Sequence, residues 1–141
     1  MKKLLLSLLL PVALLVGCTS TTSDDEPEAT VSYSSALGGF FTDPNDYNKN
    51  VSTLTIGRRY DLRLFPYGAV NTPWQNDGFV TAVSYSLNGV VIGSSSAYPF
   101  TMKYTPDVTP GTYTLTVAPE FKGYNPFSGG VQSSTIEVRA E

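Results

Sequence analysis

The chain has 141 residues, of which 12 are acidic, 9 basic, one a cysteine and none a histidine. The net charge of -3 argues against a nucleic-acid partner, which requires basic density. Without histidine there is no Ser-His-Asp triad, no Cys-His nucleophile and no His-ligated zinc, and a lone cysteine forms no intrachain disulfide.

Lys2 and Lys3 open a short positive segment, and Leu4 to Val16 is an almost unbroken apolar run. That run suits the apolar core of a signal peptide and is short of the roughly 20 residues a membrane-spanning helix needs. It ends in Leu15-Val16-Gly17-Cys18. These residues resemble the bacterial lipobox, in which a cysteine becomes the first residue of the mature chain. The resemblance implies that residues 1–17 are removed and that Cys18 carries acyl chains such as palmitate. A thiolate is the nucleophile such chemistry needs, and several acyl chains anchor stably where one does not. Thr19 follows the cysteine, which implies an outer-membrane destination. Residues 18–29 then read as the lipidated cysteine and a polar tether, since nothing apolar occurs before Ala29. Ser23-Asp24-Asp25-Glu26 resembles the acidic surface-export signal of Bacteroidota lipoproteins. From Thr30 onward the acidic and basic residues nearly balance, so the net acidic bias lies mostly in the tether.

Residues 30–141 read as one β-domain. Threonine, valine, tyrosine and serine alternate at period two, with glycine and proline at the breaks, and no long stretch shows helical spacing. The expected strands begin with 30–36, where Val31 and Tyr33 share a face. Phe40 and Phe41 and a polar loop over 42–50 follow. Segment 51–56 turns Leu54 and Ile56 inward. Segment 59–65 places Tyr60, Leu62 and Leu64 on one face and Arg59, Asp61 and Arg63 on the other. A long loop runs from Pro66 to Gly78. Strand 79–87 aligns Thr81, Val83, Tyr85 and Leu87. Asn88-Gly89 predicts a type I′ hairpin into Val90-Val91-Ile92, because both turn residues tolerate positive φ. Segment 98–104 aligns Tyr98, Phe100, Met102 and Tyr104. Segment 112–118 turns Tyr113, Leu115 and Val117 inward, and 133–139 ends the domain with Ser134, Ile136 and Val138.

Seven to nine short strands, each with an apolar stripe, require two facing sheets, so the expected fold is an all-β, immunoglobulin-like sandwich without a disulfide. A small barrel or another sandwich topology is the alternative. Residues 83–117, VSYSLNGVVIGSSSAYPFTMKYTPDVTPGTYTLTV, resemble bacterial Ig-like domains. The resemblance implies that Tyr113 is a tyrosine corner bonding back near Asp107. Leu115 then stands where antibody domains have their second cysteine, and no tryptophan accompanies Val83.

On that mapping the loops 66–78 and 119–132 meet at one end of the sandwich. They carry Tyr67, Trp74, Phe121, Tyr124 and Phe127 beside Asn76 and Asp77. Aromatic faces near amides and carboxylates suit sugar rings or a protein partner. Tyr67, Trp74, Asn76, Asp77, Tyr124 and Phe127 are therefore the candidate ligand residues. The competing role for these rings is to plug the end of the core. The first strand of such a sandwich starts near the same end, which would place the tether there. Asp43, Asn45, Asp46 and Asn48 offer calcium-type oxygens, but the spacing lacks the glycine and glutamate of an EF-hand and fits side-chain-capped turns. Asp77 and Glu120 are the one carboxylate pair worth inspecting for hydrolysis. The expectation is a non-catalytic lipoprotein without cofactor or metal, anchored to the membrane and presented at the cell surface for adhesion, ligand binding or assembly. The alternative is a carbohydrate-binding accessory of a glycan-uptake system.

Overall fold

The computed structural model describes residues 33–67 and 78–141, and these hold ten strands and no helix. The first sheet contains β1 (Leu37–Asp43), β2 (Asp46–Val51), β4 (Tyr60–Phe65) and β7 (Met102–Tyr104) in the order β2-β1-β4-β7. The two-residue β9 (Val131–Gln132) pairs parallel with the start of β1. The second sheet contains β3 (Thr53–Thr55), β5 (Val80–Leu87), β6 (Val90–Ser95), β8 (Gly111–Phe121) and β10 (Ser134–Arg139) in the order β3-β10-β8-β5-β6. The chain is thus an immunoglobulin-like β-sandwich with no disulfide.

Alternating residues of both sheets fill the space between them. Phe41, Leu62 and Leu64 from the first sheet and Val83, Tyr85, Leu115, Ile136 and Val138 from the second are almost wholly buried. Burying a side chain of this size contributes about 1.5–3 kcal/mol. Leu115, at the place of the missing cysteine, is fully buried, so packing takes over the cross-link's role. Asn88 (φ 47°) and Gly89 (φ 81°) form the expected left-handed turn between β5 and β6. The Asn88 side chain also accepts the Thr114 amide at 2.7 Å, which ties the hairpin to β8.

Several expectations require correction. Among the described residues the first strand is Leu37–Asp43; of the expected strand 30–36, residues 30–32 lie outside the described residues, and of the remainder only Tyr33 makes a bridge, to Phe127. Segment 42–50 is not a polar loop but the turn and return strand of the β1–β2 hairpin. Its polarity misled because β2 is an edge strand with both faces wet. Asp43 and Asp46 accept the amides of Asn45 and Asn48 and so form the capped turns expected there. Thr81 points outward because a bulge between Val80 and Ala82 shifts the phase and buries Val80 instead. Tyr98 leaves the inward row because Phe100 adopts φ 61° and breaks the alternation. The tyrosine corner forms as expected: the Tyr113 hydroxyl donates to the Thr109 carbonyl at 2.8 Å, close to Asp107.

Candidate functional site

The end of β4, the start of β5 and the end of β8 lie at one end of the sandwich, which brings the described ends of loop 66–78, Tyr67 and Gly78, to the same end as loop 119–132. The Lys122 amide bonds the Phe79 carbonyl at 2.8 Å, which ties the start of β5 to the end of β8. The Tyr67 and Phe127 rings meet edge to face, 6.0 Å between centroids. Tyr67 also contacts Phe100 at 5.5 Å and Tyr98 at 5.9 Å.

The candidate residues divide on burial. Tyr67 is 4% and Phe127 2% exposed, and both belong to the core. Their burial matches the competing role of plugging the end of the core: the sandwich end must be sealed, and these two rings seal it. Tyr124 is 43% exposed and packs edge-on against Phe79 at 5.5 Å. Trp74, Asn76 and Asp77 lie outside the described residues, as does Cys18. Glu120 is an exposed residue of β8, and its proposed carboxylate partner is Asp77. No cluster of three or more His, Cys, Asp or Glu that could hold a metal occurs among the described residues.

The N-terminal segment is bound to the same end. Tyr33 donates to the Pro126 carbonyl at 2.7 Å and accepts from the Ser128 amide at 2.9 Å. The Ser128 hydroxyl bonds the same Tyr33 carbonyl, and the Tyr33 ring lies 5.1 Å from that of Phe127. Leu37 donates to Gly130, and Gly129 to Ser35. Gly129 is required there: a Cβ would sit 2.7 Å from the Ala36 nitrogen and 2.8 Å from the Ser35 carbonyl carbon, both backbone atoms.

Three exposed apolar residues at this end were absent from the candidate set. Phe65 is 41%, Tyr98 39% and Val131 46% exposed. Phe65 was legible by strand parity, since it shares a face with Arg59, Asp61 and Arg63, of which Asp61 is itself buried. Tyr98 and Val131 were not, because a φ reversal and a two-residue strand set their direction.

Electrostatics are weak here and concentrated elsewhere. Arg58 pairs with Asp43 at 3.2 Å and lies over the Tyr60 ring at 5.6 Å. Arg63 stacks on the exposed Tyr47 ring at 4.7 Å. Burial pushes the Tyr85 hydroxyl far above its ordinary pKa, and that hydroxyl donates to the Phe100 carbonyl. This bond fixes the segment that carries Tyr98 and is structural.

The family described as Bacterial Ig domain matches residues 70–117, a stretch running from before β5 into β8. No curated protein matches the chain. Among solved structures, the fibronectin(III)-like modules of Clostridium thermocellum CbhA align over 72% of this chain and 97% of theirs, with 17% identity and a TM-score of 0.45. The strand pairing of the chain itself defines its fold. Domains of this class are commonly non-catalytic modules, and their function lies in the surfaces they present.

Proposed function

We propose that the chain is a lipid-anchored, non-catalytic immunoglobulin-like module that works at the outer membrane and the cell surface in adhesion, ligand binding or assembly. The carrying observation is the locking of Tyr33 onto Pro126, Phe127 and Ser128. That contact fixes the end of the sandwich from which the chain leads back to Cys18. The Lys2-Lys3 start, the apolar run and Leu15-Val16-Gly17-Cys18 supply the anchor, and the acidic block after it supplies the export and tethering segment.

The test is fractionation of cells that express the whole chain. The native chain is expected in the outer-membrane fraction and open to added protease on intact cells. Cys18→Ser is expected in the soluble fraction. Equal partition of the two would end the anchoring proposal. Protease resistance on intact cells would confine the module to the inner leaflet side.

A second reading is supported by Tyr124, which among the described candidate rings is the one substantially exposed. It is a carbohydrate-binding accessory in which Trp74, Asn76, Asp77 and Tyr124 form the sugar platform. Glycan-array binding that Trp74→Ala abolishes is the result this reading requires, and binding unaffected by that change would sink it.

A further inference from the structure

We infer that the loop end of the sandwich rests on the lipid surface, with Phe65, Tyr98, Tyr124 and Val131 at the headgroup boundary and the Asn88-Gly89 hairpin pointing away. The inference rests on the anchor at Cys18 proposed above.

The placement of exposed apolar side chains carries it. The described residues expose seven large apolar side chains. Phe65, Tyr98, Tyr124 and Val131 lie at the end where the chain enters the domain. Val131 and Phe65 flank the first residues of β1, opposite Leu37 and Gly38. Tyr98 joins the Tyr33 ring through Tyr67 and Phe127, with successive centroids 5.9, 6.0 and 5.1 Å apart. Val90 and Val91 stand at the opposite end, beside the hairpin turn, and Tyr47 lies next to the β1–β2 turn there.

The chemistry of the two ends differs in the same sense. Lys122 and Glu120, of opposite sign, are the charged residues of the described loop end. The far end carries Asp43, Arg58, Arg59, Asp107 and Arg139. Tyrosine combines an apolar ring with a polar tip and favours a boundary between lipid and water. Residues 19–32 reach at most about 50 Å when extended and join the domain at Tyr33, so the loop end is the part of the domain tethered by the shortest length of chain. An apolar face held that close to lipid by a covalent anchor experiences a high effective concentration of its target.

Lipidation uses the sole cysteine, so a newly introduced cysteine takes a nitroxide label at one site. The acylated chain is reconstituted in vesicles of phosphatidylethanolamine and phosphatidylglycerol, labelled at Tyr98→Cys, Tyr124→Cys or Val91→Cys. Power saturation then compares collision with oxygen, which enriches in lipid, and with a water-soluble nickel complex. The expected oxygen-to-nickel ratio is several-fold higher at positions 98 and 124 than at 91. Without the label, amide exchange at Ala97, Tyr98 and residues 123–125 should be slower in the acylated chain on vesicles than in the Cys18→Ser chain in buffer. Ratios equal at all three sites, in a chain that floats with the vesicles, would overturn the inference and leave the anchor standing. That result, together with glycan-dependent shielding of position 124, would assign these rings to sugar instead. A chain that does not float would overturn the anchor and this inference with it.

Discussion

Replacing Gly129 by alanine puts the attachment of the N-terminal segment to a direct test. The new Cβ would lie 2.7–2.8 Å from three backbone atoms of Ser35 and Ala36. An ordinary carbon contact lies some 3.5–4 Å apart, so one backbone must retreat by roughly 0.7–1 Å. Neither side has a flexible side chain to turn away. Overpacking of this kind costs about 1–3 kcal/mol. The least costly escape is release of residues 33–36, which breaks the bonds from Tyr33 to Pro126 and Ser128. Equilibrium urea unfolding gives the total change, and amide exchange at Tyr33 and Leu37 shows where it is felt. Gly38→Ala is the control, since its Cβ meets nothing closer than 3.5 Å. A Gly129→Ala chain as stable as the control, with unchanged exchange at Tyr33, would refute the close-contact reasoning.

Tyr85→Phe leaves the Phe100 carbonyl buried without its hydroxyl partner and should cost about 1–3 kcal/mol in urea unfolding. Because burial raises the Tyr85 pKa above its ordinary 10.0, the folded state holds this proton more tightly than the unfolded chain. Its contribution is complete below that ordinary value and is lost as pH rises above it, so the native chain should lose stability with pH more steeply than Tyr85→Phe in alkaline unfolding. Asn88→Ala removes both a residue suited to φ 47° and the bond to the Thr114 amide. A loss of about 1–2 kcal/mol is expected, with faster exchange at Thr114. Tyr113→Phe removes the exposed bonds of its hydroxyl to the Thr109 carbonyl and hydroxyl and should cost about 0.5–1.5 kcal/mol, less than Tyr85→Phe.

The strands whose two faces meet different solvents were legible in the sequence. Residues 60–65, 83–87, 112–118 and 134–139 alternate because one face is core, and Asn88-Gly89 declares its turn through its backbone preference. The elements that failed share a physical reason. In β2 both faces are wet, so no alternation marks it. At Val80 and Phe100 a bulge and a positive φ break the phase locally, which reverses the parity inference for Thr81 and Tyr98 and leaves the rest of each row in place. β9 is two residues long and exists because β1 needs a partner at Leu37 and Gly38.

The site was legible as a place and less so as a surface. Chain order brings loops 66–78 and 119–132 together, and Tyr33 locates the N-terminal approach. Which rings face outward depends on how the end is sealed. Composition treats Tyr67, Phe127 and Tyr124 alike, yet the first two form the seal and the third lies over Phe79. Phe65 shows that strand parity, carried one residue further, reveals an exposed ring that a search confined to loops overlooks.

The central claim is the anchor, because it determines where every other surface of the domain works. Mass spectrometry of the intact chain recovered from cell membranes tests it most directly. The account predicts a chain that begins at Cys18 and carries acyl groups on that residue. A chain that retains residues 1–17, or one whose Cys18 thiol reacts freely with alkylating reagent, would contradict it.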